Sequence, residues 1–371
     1  VLVGGTNGKG STAAFLSSMA STAGYRTGLY TSPHLETVEE RLRIDGRAIT
    51  TDRLASIVEH VVATAEASLG YLPTYFEVLT AAACQWFAEE AVDLAVLEVG
   101  LGGRLDATNG TDPALSLITE IGLEHQKYLG STLAQIGREK AGILRPDRDA
   151  IVWVEREEAR AAIQQVAAEI GARLVWGPEV ARVKQVGESR RDGQVVELST
   201  PRGKQVLTVP LLGEHQGANL ALAALAVETL ARLGMDRLNA ESVRDGAART
   251  RWPGRLEWVE PAEVRPFLLD VAHNPDGART LERALDQTPG QFTLVFGALS
   301  DKEVRAFLPG LASRARRVVL TRPASSRALE AGVLAELLPG MEVSIHPESS
   351  AALDAALEST TDFILVCGSV Y

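Results

Sequence analysis

Cysteine, lysine and long apolar runs are all scarce in this chain, and each shortage removes a class of explanation. Two cysteines in 371 residues, Cys84 and Cys367, both in apolar surroundings, cannot form a disulfide framework. They read as buried reduced thiols, which fits a cytoplasmic protein. No apolar run reaches the ~18 residues that a membrane helix needs, so no membrane partner is expected. A signal peptide and an initiator methionine are missing as well. The chain opens directly on an apolar strand, so export is not expected and a segment preceding Val1 is. Positive charge is also short, with 37 Lys and Arg against 48 Asp and Glu and a net charge of −11. No Lys/Arg-dense face is evident, which argues against a nucleic-acid partner and leaves small anions as candidates. Only six of the 37 basic residues are Lys, so arginine serves wherever a plain positive charge suffices. The few lysines are therefore candidates for chemistry that arginine cannot perform.

What is present suits a soluble protein of two domains. A length of 371 residues exceeds one ordinary core, and 46% hydrophobic with 23% charged residues is ordinary globular composition. Apolar runs alternate with helical stretches up to residue 176: VLVGG, TGLYTS, DLAVLEVG, ALSLITEIG, AIVWVE and ARLVWG. This alternation predicts a parallel sheet covered by helices. Between residues 180 and 209 the short β-prone pieces QVVELS and KQVLTVP predict a small antiparallel addition to that sheet. HQGANLALAALAVETLARLG then reads as an apolar-rich helix of the first domain. The stretch GAARTRWPGRLEWVE is the expected junction, followed by FLLDVAHN, FTLVFGAL, RVVLT, EVSIHP and FILVCGS. The fold class is thus α/β: a P-loop parallel-sheet ATP-binding domain over 1–250 and a smaller Rossmann-like domain over 251–371.

Ligands of open parallel sheets bind beyond the carboxyl ends of the strands, so the residues after each apolar run are the candidates. The first run continues as GGTNGKGST, a glycine-rich turn leading into a helix, where backbone N–H groups and the helix N-terminus suit a phosphate chain. It departs from the G-x-x-x-x-G-K-[ST] template: three residues separate Gly4 from Gly8, and Gly10 stands between Lys9 and Ser11. Lys9 can reach β- and γ-phosphate, and Ser11 is placed to ligate Mg²⁺. The second run ends in YTSPHLE, bringing Ser32 and His34 to the same edge. The third presents Glu98 and then Arg104 and Asp106, and the fourth Glu124 and His125. Lys140 follows Glu139 on a helix, as either an ordinary surface lysine or a residue kept for carbamylation. In the second domain Asp270, His273 and Asn274 follow an apolar run, and Arg255 can clamp a phosphate or pair with a carboxylate. Together these residues suggest a nucleotide held in the cleft between the domains, with closure excluding water.

The succession TNGKGS, SPHL, TYFE, LEVGLGGRLDATN, EKAGI, HQGAN, PGRLE and DVAHNPDGA resembles folylpolyglutamate synthase/dihydrofolate synthase, within the Mur-ligase superfamily, over essentially the whole chain. In that superfamily the loop has the form G-T-N-G-K-G-[ST], so the displaced serine belongs to the pattern. The resemblance implies that Asn7, Gly8, Lys9, Gly10 and Ser11 hold the ATP phosphates, with Asn219, Arg255, Asp270 and His273 on the nucleotide. It implies two Mg²⁺ ions on Ser11, Ser32, Glu98 and His125, a carbamylated Lys140, and a pterin site lined by Thr74, Tyr75, Phe76, Glu77, Leu105, Asp106 and Ala107. Lys9, Lys140 and His125 would be the catalytic residues. The implied activity joins L-glutamate to a folate or dihydropteroate carboxylate through an acyl phosphate formed from ATP, in a monomer. A peptidoglycan Mur ligase is the nearest alternative, and a P-loop kinase or NTPase a more distant one. Family members usually carry a helical segment before the loop and run on past the position of CGSVY, and this sequence shows neither.

Overall fold

The structure is a computed structural model that describes residues 1–300 and 302–369. Val370 and Tyr371, the end of CGSVY, lie outside the described residues. The chain divides into two compact units. The first comprises Val1–Glu188, Gln194–Pro210 and His215–Trp252, and the second Ser189–Gly193, Leu211–Glu214 and Pro253–Tyr371.

In the first unit the six apolar runs all form strands, and an unforeseen hairpin accompanies them. β1 (Leu2–Gly4), β2 (Thr27–Tyr30), β3 (Leu42–Ile44), β4 (Arg47–Ala48), β5 (Leu94–Glu98), β6 (Ser116–Ile118), β7 (Asp149–Val152) and β8 (Arg173–Trp176) make one sheet in the order β4-β3-β2-β5-β1-β6-β7-β8. β1 is central, pairing in parallel with β5 and β6. Its strand is wholly buried because helices cover both faces, which is why these runs are continuous rather than alternating. β3 and β4 are antiparallel, joined by Asp45 and Gly46 with φ of 49° and 78°. Asp-Gly with both residues left-handed is the favoured tight hairpin turn, so RLRIDGRAI carried a readable signal.

One expectation is corrected. β9 (Arg182–Gln185), β10 (Gln194–Thr200) and β11 (Gly203–Val209) form a separate three-stranded antiparallel sheet and do not extend the first. The antiparallel extension of the large sheet is the β3–β4 hairpin at the opposite end of the chain segment. Local β propensity and turn signals identify strands but carry no information on which sheet they join.

The helix Glu214–Arg232 buries all its faces along the run Leu220–Val227, as expected of an Ala/Leu-rich helix with no polar face. In the second unit β12 (Glu257–Val259), β13 (Phe267–Leu269), β14 (Phe292–Phe296), β15 (Arg317–Leu320), β16 (Val343–Ile345) and β17 (Phe363–Cys367) form a sheet in the order β12-β13-β17-β14-β15-β16. Five strands are parallel, as expected, and β12 adds an antiparallel edge from within PGRLEWVE. Its core includes Leu268, Leu294, Phe296, Phe363 and Leu365. Leu281 and Leu285, one helical turn apart on Pro275–Asp286, pack into it.

Candidate active site

The loop after β1 is built by close packing as well as by conformation. Gly8 has φ of 89°, and a Cβ there would lie 2.2 Å from Asn219 Oδ1. A side chain would need both a disfavoured backbone and the space Asn219 occupies. Gly10, the glycine that interrupts the common template, lies against the Trp252 indole, where a Cβ would be 2.8 Å from the ring. The helix Lys9–Thr22 starts immediately, so its N-terminal N–H groups face the loop. Behind the loop, Gln216 Nε2 donates to Ser11 Oγ at 3.4 Å, Asn219 Nδ2 to Gln216 Oε1 at 2.9 Å, and Thr12 Oγ1 to Asn219 Oδ1 at 3.4 Å. HQGAN, about two hundred residues away in sequence, is thereby fixed against the loop helix.

Two lysines meet at one carbonyl. Lys9 Nζ donates to Gly5 O at 3.0 Å and Thr6 O at 2.9 Å, and Lys140 Nζ donates to the same Gly5 O at 2.6 Å. Lys140 also pairs with Glu124 Oε1 at 2.7 Å. Lys140 is 1% exposed, so the surface-lysine alternative is excluded; its neighbour Glu139 pairs instead with Arg104. Burial lowers the Lys140 ammonium to about 8, against the opposing pull of Glu124. Burial pushes the Glu124 carboxyl up, but Lys140, Lys9 and His125 outweigh it and hold it at about 2. His125 is exposed, with a left-handed φ of 45°, and opens the short helix Gln126–Leu129.

Glu98, at the end of β5, is 5% exposed and accepts the Ser32 N–H at 3.0 Å, which ties the second and third strand ends together. The following glycine turn is held from inside by Asp106. Its carboxylate accepts from the N–H of Gly100 (3.1 Å), Leu101 (2.8 Å) and Thr108 (3.0 Å), and from Thr108 Oγ1 (2.6 Å). Ala107 begins the single turn that Asp106 caps. Phe76 stacks on this turn, its ring 2.6 Å from where a Gly100 Cβ would stand. Thr74 and Glu77 form a capping box for the helix Tyr75–Glu89, with Glu77 Oε2 accepting from Thr74 N and Oγ1 at 2.7 Å. Tyr75 and Leu105 are left 59% and 80% exposed, and Leu101 and Leu123 are also exposed. Exposed large apolar side chains of this kind suit a flat, partly apolar ligand.

In the second unit Asp270 accepts the N–H of Leu256 at 3.0 Å and of Ala272 at 2.8 Å. Burial raises its carboxyl, and Arg255 opposes this. His273 Nδ1 donates to Val271 O at 2.8 Å. Asn274 caps the helix Pro275–Asp286 by accepting from Gly277 N at 2.8 Å. Sequence reasoning did not pick out Gln216, Thr119 or Trp252. Gln216 hydrogen-bonds Ser11 and Asn219, Thr119 Oγ1 donates to Gly4 O at 3.2 Å, and Trp252 packs on Gly10, roles across long stretches of chain that carry no local sequence signal.

Residues 3–227 match the Mur ligase middle domain, and residues 254–370 match the glutamate ligase domain of Mur ligases. The chain is 33% identical over 394 residues to dihydrofolate synthase/folylpolyglutamate synthase of Bacillus subtilis, covering 100% of this chain and 87% of that protein. It belongs to the folylpolyglutamate synthase/dihydrofolate synthase family of Mur ligases. A probable bifunctional folylpolyglutamate synthase/dihydropteroate synthase of Halobacterium salinarum is 35% identical over 382 residues, and there the chain spans 46% of the relative's length. A solved bifunctional folylpolyglutamate synthase/dihydrofolate synthase with Mn, AMPPNP and L-glutamate bound superposes with a TM-score of 0.86 at 35% identity. It covers 100% of this chain and 86% of that one. Family membership accounts for the G-T-N-G-K-G-S loop as an intact form of its kind.

Proposed function

We propose that this protein is an ATP-dependent ligase that joins L-glutamate to the carboxylate of a folate or of dihydropteroate. The observation that carries the reading is the convergence of Lys9 and Lys140 on the Gly5 carbonyl of a Mur-type loop, with Glu124 paired to Lys140, within a chain matched along its length by ligases of this kind. Residues 1–250 form the ATP-binding domain and 251–371 the glutamate ligase domain in this reading. Asn7 to Ser11 hold the ATP phosphates, and Asn219, Arg255, Asp270 and His273 contact the nucleotide. Thr74, Tyr75, Phe76, Glu77 and Leu105 to Ala107 form the pterin wall; Tyr75 and Leu105 offer contact area, whereas Asp106 and Glu77 shape the wall, since their carboxylates are engaged internally.

The donor set suits Mg²⁺. Among the described residues no three His, Cys, Asp or Glu side chains cluster as a closed metal cage. What is present is one buried carboxylate, Glu98, with the hydroxyls of Ser11 and Ser32 and the His125 imidazole. Mg²⁺ favours such sparse oxygen-rich sites, completed by phosphates and water. Two ions are proposed, and bound there they would neutralise charge on the transferring phosphoryl group. Lys140 is the residue proposed to be carbamylated. Carbamylation needs a neutral amine, and burial lowers the ammonium to about 8, so a usable neutral fraction exists near neutral pH.

The substrate carboxylate attacks the γ-phosphate in line, and the acyl phosphate formed is attacked by the amine of L-glutamate, yielding amide, ADP and phosphate. Lys9 supplies positive charge to the phosphoryl oxygens, so catalysis rests on positioning and electrostatics. The protein is proposed to be a cytoplasmic monomer; no helix among the described residues is long and apolar enough to cross a membrane. The test is ADP release with Mg·ATP and L-glutamate, comparing dihydropteroate, tetrahydrofolate and no pterin. Release that requires both glutamate and a pterin is expected, and release that requires neither would defeat the reading. Lys9→Ala and Glu98→Ala should each cost at least about 10³-fold in turnover with unchanged circular dichroism. Near-normal rates in either would reject the assigned roles.

A further inference from the structure

Arg41 follows the SPHL segment on the single turn Val38–Arg41 and is 7% exposed. A buried guanidinium is costly unless carboxylates or several acceptors surround it. Arg41 has one hydrogen-bond acceptor among the described residues: its Nε donates to His34 Nδ1 at 2.9 Å. Its charged centre also lies 5.5 Å from the centroid of the Tyr75 ring. Neither neighbour carries negative charge, and the two Nη groups have no acceptor among the described residues.

The nearby carboxylates are committed elsewhere. Glu40 accepts from the N–H groups of Leu35, Glu36 and Thr37, and Glu39 accepts from Thr51 Oγ1. Asp106, which like Arg41 acts on the Tyr30 hydroxyl, is filled by Gly100, Leu101 and Thr108. Tyr30 itself is neutral: burial raises its hydroxyl to about 12. At 7% exposure Arg41 keeps a small opening to solvent. Arg41 is thus a nearly buried cation with a free planar edge beside Tyr75, the exposed aromatic of the proposed pterin wall.

We infer that Arg41 is a receptor for a substrate carboxylate, gripping it through its two Nη groups against the Tyr75 face. The inference rests on the ligase reading for the identity of that carboxylate, which belongs either to the pteroyl substrate or to L-glutamate. A carboxylate there supplies the missing counter-charge, and a planar fork matches its two oxygens as an ammonium cannot.

The test compares wild type, Arg41→Met and Arg41→Lys for thermal midpoint, for KM of each of the three substrates and for binding of glutarate followed by calorimetry. Arg41→Met should raise KM for one carboxylate substrate roughly 10- to 100-fold, leave KM for ATP unchanged and weaken glutarate binding. Its thermal midpoint should hold or rise, because an uncompensated buried charge has been removed. Arg41→Lys should recover only part of the affinity. A KM rise confined to pterins, or confined to L-glutamate, supports the inference and names the source. A fall of several degrees in the midpoint with all KM values unchanged assigns Arg41 a structural role and overturns it, as does glutarate binding equal in all three proteins. Wild type that binds glutarate through Arg41 but shows no ligation would refute the ligase reading and leave the carboxylate receptor standing.

Discussion

Gly8 and Glu120 show how a single position is decided by what surrounds it. At Gly8 alanine would enter a left-handed backbone and meet Asn219 at 2.2 Å. Gly8→Ala should therefore cost about 1–2 kcal/mol in urea unfolding and raise KM for ATP, since Asn219 must move off the loop helix. Glu120, just beyond β6, presents the opposite case. Its Oε1 is enclosed without a partner, and burial raises its carboxyl despite the N–H donated by Glu155. A carboxyl raised on folding binds more protons in the folded state, so its contribution to stability is full below the ordinary value of 4.5 and lost as pH rises through the folded value. Glu120→Gln should stabilise the protein by about 1 kcal/mol at pH 7 and by nothing measurable near pH 4. Equal effects at both pH values would show that the charge is not the cause.

Among the elements, the helix Pro275–Asp286 was readable from its ends. Proline at the first helical position fixes φ where no N–H is needed, and Asn274 before it accepts from Gly277. Asn274→Ala should cost about 1 kcal/mol in a denaturant midpoint, and Asn274→Asp should cost little. Leu281 on the same helix is 1% exposed, and Leu281→Ala should cost about 2–5 kcal/mol, the larger loss because a cavity replaces a filled site. The Asp45-Gly46 turn carried a signal in its residue pair that the sequence reading did not use, and Asp45 also accepts from Thr27 N at 2.9 Å, a contact only the fold supplies. The strands of 182–209 were legible as strands only. Whether they would extend the large sheet or stand apart depended on partners remote in sequence.

At the scale of the whole molecule, the acidic balance of −11 has a direct consequence. The protein should pass through a heparin column at low salt, because a polyanion is repelled at long range. Retention that salt reverses would reveal a basic face that composition hides. The two units each own a core, the first around Leu2, Tyr30, Leu97 and Ile118 and the second around Leu268, Leu294 and Phe363. Their successive matches to the middle and glutamate ligase domains of Mur ligases follow the same order along the chain.

The sequence alone determined the parallel strands, the glycine loop and its lysine, and the placement of Ser32 and Glu98 at one sheet edge. Each of these is a local pattern: an apolar run, a turn chemistry, a residue placed just past a strand. Tertiary structure alone decided that Lys140 is buried against Glu124 and Gly5, that Asp106 spends its carboxylate on its own turn, and that Trp252 fills the space left by Gly10. It also decided that Arg41 is a buried cation whose hydrogen-bond acceptor among the described residues is His34. Such facts concern what lies within a few ångströms across long stretches of chain, and burial and pairing at that distance set the charge a side chain can carry.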